Sequence, residues 1–335
     1  MQQLDFAFLI HPFSYRDVFN RYPIARFVPR ALLRFILKLA SPVTVAKIQI
    51  SLDGLELRGM LVSVPLLPSM MLRNRDAAFK HVVRACKLAQ SRGVSYIGLG
   101  ALTSVVSGGG TNLEKHFNNI CITNGNALTA STTALDVQHI ISERTGPPVV
   151  CVIGATGSIG SAVTQLIARD MPCSELLVVG RTPEHVELLM QSLAAYASHV
   201  HIRASTLAEA VPVSDVVILA TSASGVLVTA DMLKPNAVVY DVTQPKNTPR
   251  DLKQVRPDVV VYEGGLVVRP ESMQCAFRFP IPDHTLYSCL AETILLAASK
   301  HSGHFSLGLV SLEHIAHIQA VAQKYGVRPA RHVST

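Results

Sequence analysis

The residue type best suited to covalent chemistry stands at Cys289, in the stretch His284-Thr285-Leu286-Tyr287-Ser288-Cys289-Leu290-Ala291-Glu292. From Leu290 the run Leu-Ala-Glu-Thr-Ile-Leu-Leu-Ala-Ala reads as a mostly buried helix. Ser288 then reads as its N-cap, because a hydroxyl there accepts an orphan backbone N–H. Cys289 becomes the first helical residue. A helix N-terminus favours a nearby anion and lowers thiol pKa values, and the thiolate is the nucleophile. The plain alternative is a small core cysteine, since free cysteines are among the most buried residues. Position alone leaves both readings open.

A second chemical element is Gly154-Ala155-Thr156-Gly157-Ser158-Ile159-Gly160, between an apolar run and a helical one. Gly154 permits a tight turn, Gly157 lets backbone approach a pyrophosphate, and Gly160 lets helix pack on strand. Backbone N–H groups of Thr156, Ser158 and Ile159 fall where a helix N-terminus meets phosphate. The spacing is G-x-x-G-x-x-G rather than the strict dinucleotide fingerprint, but the strand-then-helix context is the required one.

The next strand chooses between cofactors. An acidic residue at its end binds the ribose hydroxyl of NAD. Here the sequence is Val179-Gly180-Arg181-Thr182. Arg181 suits a 2′-phosphate and an adenine face, Thr182 can donate to that phosphate, and no carboxylate opposes it, so the expected cofactor is NADPH. Ala220-Thr221-Ser222 follows a later strand at a carboxyl edge, where a nicotinamide is expected. Lys246 follows another strand and His284 precedes the cysteine helix. With Glu292, one turn after Cys289, they are the candidates for handling a proton.

These residues need a scaffold. Beyond Gly146-Pro147-Pro148 the chain alternates strand and helix: VVCVIGA, SAVTQLIARDM, ELLVVGR, PEHVELLMQSLAAYA, HVHIRA, then VVILATSA, AVVYDVT and VVVYEGG. Such alternation predicts an α/β fold with a doubly wound parallel sheet. Upstream, VAKIQISL (45–52) and LELRGMLVSVPL (55–66) meet at Asp53-Gly54, a hairpin signal. Helices are predicted at 74–93 and 126–146, with VSYIGLGAL a strand and SGGGTN (107–112) a flexible loop between them. The expected organisation is an N-terminal segment over 1–60, a substrate domain over 61–146 completed by about 280–335, and a Rossmann domain over 147–279. The substrate domain is itself expected to be α/β.

Composition narrows the setting. The chain has 335 residues, 49% of them hydrophobic and 16% charged, which is ample for a buried core. Six cysteines without a C-x-x-C pair suggest neither a zinc site nor a disulfide framework. His301/His304 and His314/His317 have helical spacing but no third ligand close by, so no metal is expected. The start, MQQLDFAFLIHPF, lacks a basic n-region and a cleavage site, and no apolar run reaches membrane-spanning length. A reducing cytoplasm is the expected location. The net charge of +7 points to an acidic partner. Nucleic acid is not expected, because no motif with interleaved aromatics is present and Trp is absent. One basic segment stands out, RFVPRALLRFILKLA (26–40), with Arg26, Arg30, Arg34 and Lys38 every fourth residue among Phe, Leu and Ile. It reads either as a peripheral membrane contact or as a helix packed on the protein's own core.

Several stretches together resemble the cyanobacterial long-chain fatty acyl-[acyl carrier protein] reductases. They are LLPSMML (66–72), the 74–93 helix, GALTSV (100–105), ITNGNALTA (122–130), VIGATGSIGSAV (152–163), QPKN (244–247), EGGLV (263–267), LYSCLAETILL (286–296) and FSLG (305–308). The resemblance covers roughly the last 270 residues and is poor before about residue 60. It implies NADPH-dependent reduction of a fatty acyl thioester to an aldehyde, with Cys289 as the acyl-carrying nucleophile. Thr103 and Asn126 fall in matching stretches and are implied on the substrate side. Where the family reads T-T-G-N, this chain has Thr123-Asn124-Gly125-Asn126, so acyl length and carrier need not match the family's. The implied partners are an acyl thioester, an acidic acyl carrier protein and an aldehyde-consuming enzyme.

The chemistry fits the residue types. A thiolate attacking a thioester expels a good leaving group, and covalent catalysis splits the hard step. Backbone N–H groups at the start of the cysteine helix are expected to hold the oxyanion. Two other classes fit the same plan. A shikimate-type dehydrogenase shares the Arg-Thr cofactor signature and uses no covalent cysteine. A nucleotide-binding sensor needs no chemistry at all. Glutamyl-tRNA reductases also pair a cysteine thioester with NADPH, but their cysteine lies near the N-terminus.

Overall fold

The structure is a computed structural model that describes residues 4–196, 200–223 and 225–330. The chain divides into two compact units. Unit one comprises Met1–Gly125, Arg269–Gly308 and Ala320–Val327; unit two comprises Asn126–Val268, Leu309–Gln319 and Arg328–Thr335.

In unit one, β1 (Phe6–Ile10) reads FAFLI, apolar at every position, so it needs cover on both faces. It lies inside a six-stranded sheet with β2 (Val43–Leu52), β3 (Leu55–Ser63), β4 (Tyr96–Leu99) and β5 (Cys121–Thr123). The order is 274–275, β2, β3, β1, β4, β5. β2 and β3 form the antiparallel hairpin that Asp53-Gly54 signals; both turn residues have positive φ, 49° and 77°, as a two-residue turn of this hand requires. β1 runs parallel to β3 and β4, and β4 parallel to β5. Residues 1–60 are therefore not a separate segment, since they supply the sheet with β1 and β2.

Helices cover both faces of this sheet. Helix Arg75–Gln90 starts at Asn74, whose side chain accepts the Ala77 N–H at 2.9 Å. Its Ala78, Val82, Ala85, Cys86 and Ala89 are buried with Ala7 and Leu9 of β1. On the other side, helix Ser288–Ala298 meets the sheet at Gly98, where a β-carbon would press on Thr293 and Phe8. The stretch 107–112 is not the flexible loop expected. Gly108, Gly109 and Gly110 take φ of 64°, 69° and 92°, Ser107 Oγ donates to Thr103 O at 2.8 Å, and a short helix, Thr111–Glu114, follows. Three glycines let the chain coil in the left-handed region without a β-carbon penalty, and the resulting turn is hydrogen-bonded.

Unit two holds β6 (Val149–Ile153), β7 (Glu175–Val179), β8 (His201–Ala204), β9 (Val216–Leu219), β10 (Val238–Asp241) and β11 (Val260–Glu263). Every pairing in the sheet is parallel and the order is β11-β10-β9-β6-β7-β8. This is the doubly wound arrangement, with the winding reversing between β6 and β9. The helix that the sequence places at 126–146 runs Asn126–Ser142 and groups with this unit, so the division falls after Gly125 rather than at Gly146-Pro147-Pro148. Its Asp136 accepts from the Tyr240 hydroxyl at 2.6 Å within the unit's interior. Ala197 and His199, which the sequence reading assigns to a helix end and a strand start, lie outside the described residues.

Candidate active site

Cys289 is half-buried in the first turn of helix Ser288–Ala298. Tyr287, not Ser288, occupies the N-cap position, and it makes no side-chain cap bond. Ser288 is fully buried inside the helix. The expected capping by Ser288 is therefore corrected: the extended strand Thr285–Tyr287 runs straight into the helix, one residue earlier than expected.

The electrostatics also run against the sequence expectation. The thiol of Cys289 is pushed up to about 12, first by burial and second by the charge of Glu292. The backbone N–H groups of Leu290 and Cys289 pull the other way, as a helix start should, but lose to those two effects. At neutral pH the sulfur is held as a thiol.

The surroundings of Cys289 come from four separate stretches of unit one. Gly125, with φ of 73°, packs so closely that a β-carbon there would overlap the Cβ and Cα of Cys289. Its N–H donates to Thr123 Oγ1 at 3.0 Å, and that hydroxyl donates in turn to Glu292 Oε1. Glu292 is fully buried. Ser306 Oγ lies 3.0 Å from both Glu292 Oε1 and Asn124 Oδ1. Asn124 Nδ2 donates to the carbonyls of Gly109 and Gly308, at 3.1 and 3.3 Å. The glycine turn, the Thr123-Asn124-Gly125 loop, the 305–308 segment and the cysteine helix are thus one hydrogen-bonded unit. Sequence reasoning missed Thr123, Asn124, Gly125 and Ser306 as parts of this site. The signal available was the recurrence of small and polar residues in TNGN and FSLG, without a partner to connect them.

The side chains of the other expected residues of unit one do not join the Glu292 cluster. Thr103 is fully buried and its hydroxyl donates to Gly100 O at 2.8 Å, within its own turn. His284 is exposed, and its backbone carbonyl accepts from Arg269 N–H at 2.9 Å.

In unit two, the glycine loop and the Ala220-Thr221-Ser222 loop leave the carboxyl ends of β6 and β9, on either side of the reversal point. They touch. A β-carbon at Gly154 would lie 2.6 Å from Ala220 O and 2.8 Å from Thr221 Cβ, so only glycine fits there. At Gly160 an added β-carbon would collide with the Gly154 backbone, which is the close helix-on-strand packing the fingerprint needs. Helix Ser158–Asp170 opens directly from Gly157, with backbone N–H groups facing the loop. Thr156 packs over Gly180 at the end of β7, where Arg181 is exposed and Thr182 partly so. A dinucleotide fits this cradle: Gly154, Thr156, Gly157, Ser158, Ile159 and Gly160 suit its pyrophosphate.

Lys246 is tied down. Its Nζ pairs with Glu263 at 3.1 Å and donates to Asp241 O at 2.9 Å. The QPKN turn is built around the buried Asp241 carboxylate, which accepts from Thr243, Asn247 and Thr248. Asn247 Nδ2 reaches the carbonyls of Ala223 and Gly225, fixing the end of the loop that begins at Ala220. Asn126 opens the first helix of this unit.

Comparison with known proteins finds a family match within unit two and relatives along most of the chain. The family profile described as "Shikimate / quinate 5-dehydrogenase" matches residues 136–263, which hold all six strands of the parallel sheet. The aminotransferase PigE of a Serratia species is 28% identical over 284 residues, covering 82% of this chain and 33% of PigE. The long-chain acyl-[acyl-carrier-protein] reductase of Synechococcus elongatus is 26% identical over 305 residues, covering 83% of this chain and 84% of the reductase. The chain thus spans a third of the length of one relative and most of the other. Among solved structures, the nucleotide-binding domain of Thermoplasma volcanium glutamyl-tRNA reductase is 19% identical with a TM-score of 0.30, covering 38% of this chain and 84% of that one. The chain carries an NAD(P)-binding Rossmann-type domain, and its relatives support a nicotinamide-dependent reductase.

Proposed function

We propose that the protein reduces a fatty acyl thioester to an aldehyde with NADPH, through an acyl-enzyme on Cys289. The observation that carries this reading is the construction around Cys289. A partly buried cysteine at a helix start is walled by Gly125, and its helix is anchored through Glu292 to three other stretches. A cysteine that only filled space would need no such buried polar network. Similarity to the Synechococcus reductase along most of both chains supports the same reading.

In this mechanism the Cys289 sulfur attacks the thioester carbonyl and gives up its proton, which is the one the departing donor sulfur takes up. The C–S bond to the donor breaks and the donor leaves as a thiol, taking up a proton. The backbone N–H groups of Cys289 and Leu290 favour the sulfur anion, and the start of the cysteine helix is the proposed donor to the oxyanion that forms on the acyl oxygen. NADPH, when bound, would supply a hydride to the acyl carbon, and one proton from Lys246 or His284 to the acyl oxygen completes the hemithioacetal. The hemithioacetal then collapses, releasing aldehyde and restoring the Cys289 sulfur. Arg181 and Thr182 would select the phosphorylated ribose, while Ala220, Thr221 and Ser222 would hold the nicotinamide end. Lys246 and His284 are the proposed proton donors, and Thr103 and Asn126 the proposed substrate-side residues. The donor is an acyl carrier protein or coenzyme A.

The test is intact mass after mixing with a long-chain acyl thioester and no cofactor. The expected result is a gain of one acyl group, absent in Cys289→Ala, and release of aldehyde when NADPH is added. Normal turnover by Cys289→Ala would overturn the covalent route. The shikimate-type profile match favours a second reading, oxidation of a small alcohol. Cofactor reduction by such an alcohol, with no acyl gain, would establish it instead.

A further inference from the structure

An apolar face stands open to solvent on unit one. Ile24, Phe27, Leu32, Phe35, Ile36 and Leu39 are exposed by 45–81%. They sit on a short 3-10 turn, Pro23–Phe27, and on helix Arg30–Leu39. Large apolar side chains concentrated this way on a surface mark a contact site.

The segment is folded, not loose. Leu33 and Leu37 point inward and form a small core with Val18, Ala25 and Leu67. The Lys38 carbonyl lies 3.1 Å from His81 Nε2 on the neighbouring helix. Leu33 and Leu37 of the helix therefore serve the protein's own core, while Leu32, Phe35, Ile36 and Leu39 stay exposed.

Charge identifies the occupant. No Asp or Glu occurs between Asp17 and Asp53, whereas Arg21, Arg26, Arg30, Arg34, Lys38 and Lys47 all do. This stretch holds six basic residues and no acids, so it contributes +6 of the chain's net +7. Among the described residues, Arg21, Arg26, Arg30, Arg34 and Lys38 are exposed, and none of the ion pairs involves them. A two-fold contact with a second copy would set this charge against itself. A folded acidic protein answers the charge but does not call for so many protruding Phe, Leu and Ile side chains. An anionic bilayer answers both, because its acyl boundary takes the apolar side chains and its headgroups take long basic ones.

We infer that residues 21–39 form a docking face for the interface of an anionic lipid membrane, lying on it without crossing it. This inference is independent of the reaction proposed above. A product or substrate with a long acyl chain would gain from such a position, but the surface stands on its own residues.

The test is flotation of the full chain with phosphatidylcholine vesicles, with and without phosphatidylserine. The expected result is binding to the anionic vesicles that weakens with salt. Arg30→Gln/Lys38→Gln should lower partitioning about 25-fold, at about fivefold for each basic residue. Phe27→Ser/Phe35→Ser/Leu39→Ser should abolish it. These side chains face solvent, so unchanged thermal melts are the control for folding. Failure of the unaltered chain to float with anionic vesicles at low salt would overturn the inference. So would binding that both variants retain. A dimer in light scattering that only the apolar variant dissolves, without vesicle binding, would assign the face to a second copy instead.

Discussion

Glu292→Gln isolates the reason the Cys289 thiol is held protonated. The two residues lie three apart on one helix, and Glu292 is the second cause, after burial, of a thiol pKa near 12. Side chains at that spacing are about 6 Å apart. A unit charge at that distance, in an effective dielectric of about 20, is worth about 3 kcal/mol. That is about two pH units in the thiol midpoint. Removing the charge should therefore raise the thiolate population at pH 8 about 100-fold. The intrinsic nucleophilicity of the sulfur falls as its pKa falls, and this returns about tenfold.

The expected outcome is alkylation of Cys289 by iodoacetamide at pH 8 about tenfold faster in Glu292→Gln than in the unaltered protein. Peptide mass spectrometry separates this site from the five other cysteines. Thr123 and Ser306 can still donate to the Gln oxygen. An amide N–H left without an acceptor costs about 1–3 kcal/mol, so a thermal melt accompanies the assay. An unchanged rate in a folded variant would refute the electrostatic argument. A slower rate would refute it more sharply, because it would make Glu292 a group that assists loss of the proton.

Three further outcomes can be checked. Gly125→Ala should destabilise the protein by more than Gly54→Ala in a denaturant titration: both glycines have positive φ, worth about 1–2 kcal/mol, but only Gly125 abuts another residue, Cys289, whereas Gly54 has nothing within 4 Å. Arg181→Asp should move cofactor preference from NADPH toward NADH by about 10- to 100-fold in the ratio of dissociation constants, the worth of one charge-assisted hydrogen bond; an unchanged ratio would remove Arg181 from the phosphate site. His11 has its pKa lowered below 6.5, chiefly by burial, with its Nε2 accepting the Leu102 N–H at 3.3 Å and its Nδ1 lying 3.0 Å from Pro12 O. The unfolded chain therefore binds a proton that the folded one refuses. Its contribution to stability is complete above pH 6.5 and is lost as pH falls below it toward the folded pKa, by up to about 1.4 kcal/mol per pH unit. His11→Asn should flatten that acid limb in unfolding titrations between pH 7.5 and 5.5, and an identical limb would reject the assignment.

What could be read from the residues was what depends on near neighbours. The Gly154–Gly160 loop, the β2–β3 turn at Asp53-Gly54 and the alternation behind the six-stranded parallel sheet are local patterns, and local patterns survive without a structure. Two kinds of fact were not local. One is membership: helix Asn126–Ser142 reads as the end of the first half of the chain, yet Asp136 meets Tyr240 across a hundred residues, and only that contact tells which unit owns it. The other is competition among effects of opposite sign. The helix start does stabilise a Cys289 anion, as its sequence position implies, but burial and Glu292 outweigh it. Neither the depth of a sulfur nor the charge beside it follows from spacing along a helix. The same holds for Asn124, which looks like an added residue beside T-T-G-N. In space it is the link that carries Gly109 and Gly308 to Ser306, and through Ser306 to Glu292. Substituting it should therefore disturb the cysteine helix from some 165 positions away in sequence, which no one-dimensional reading of either stretch anticipates.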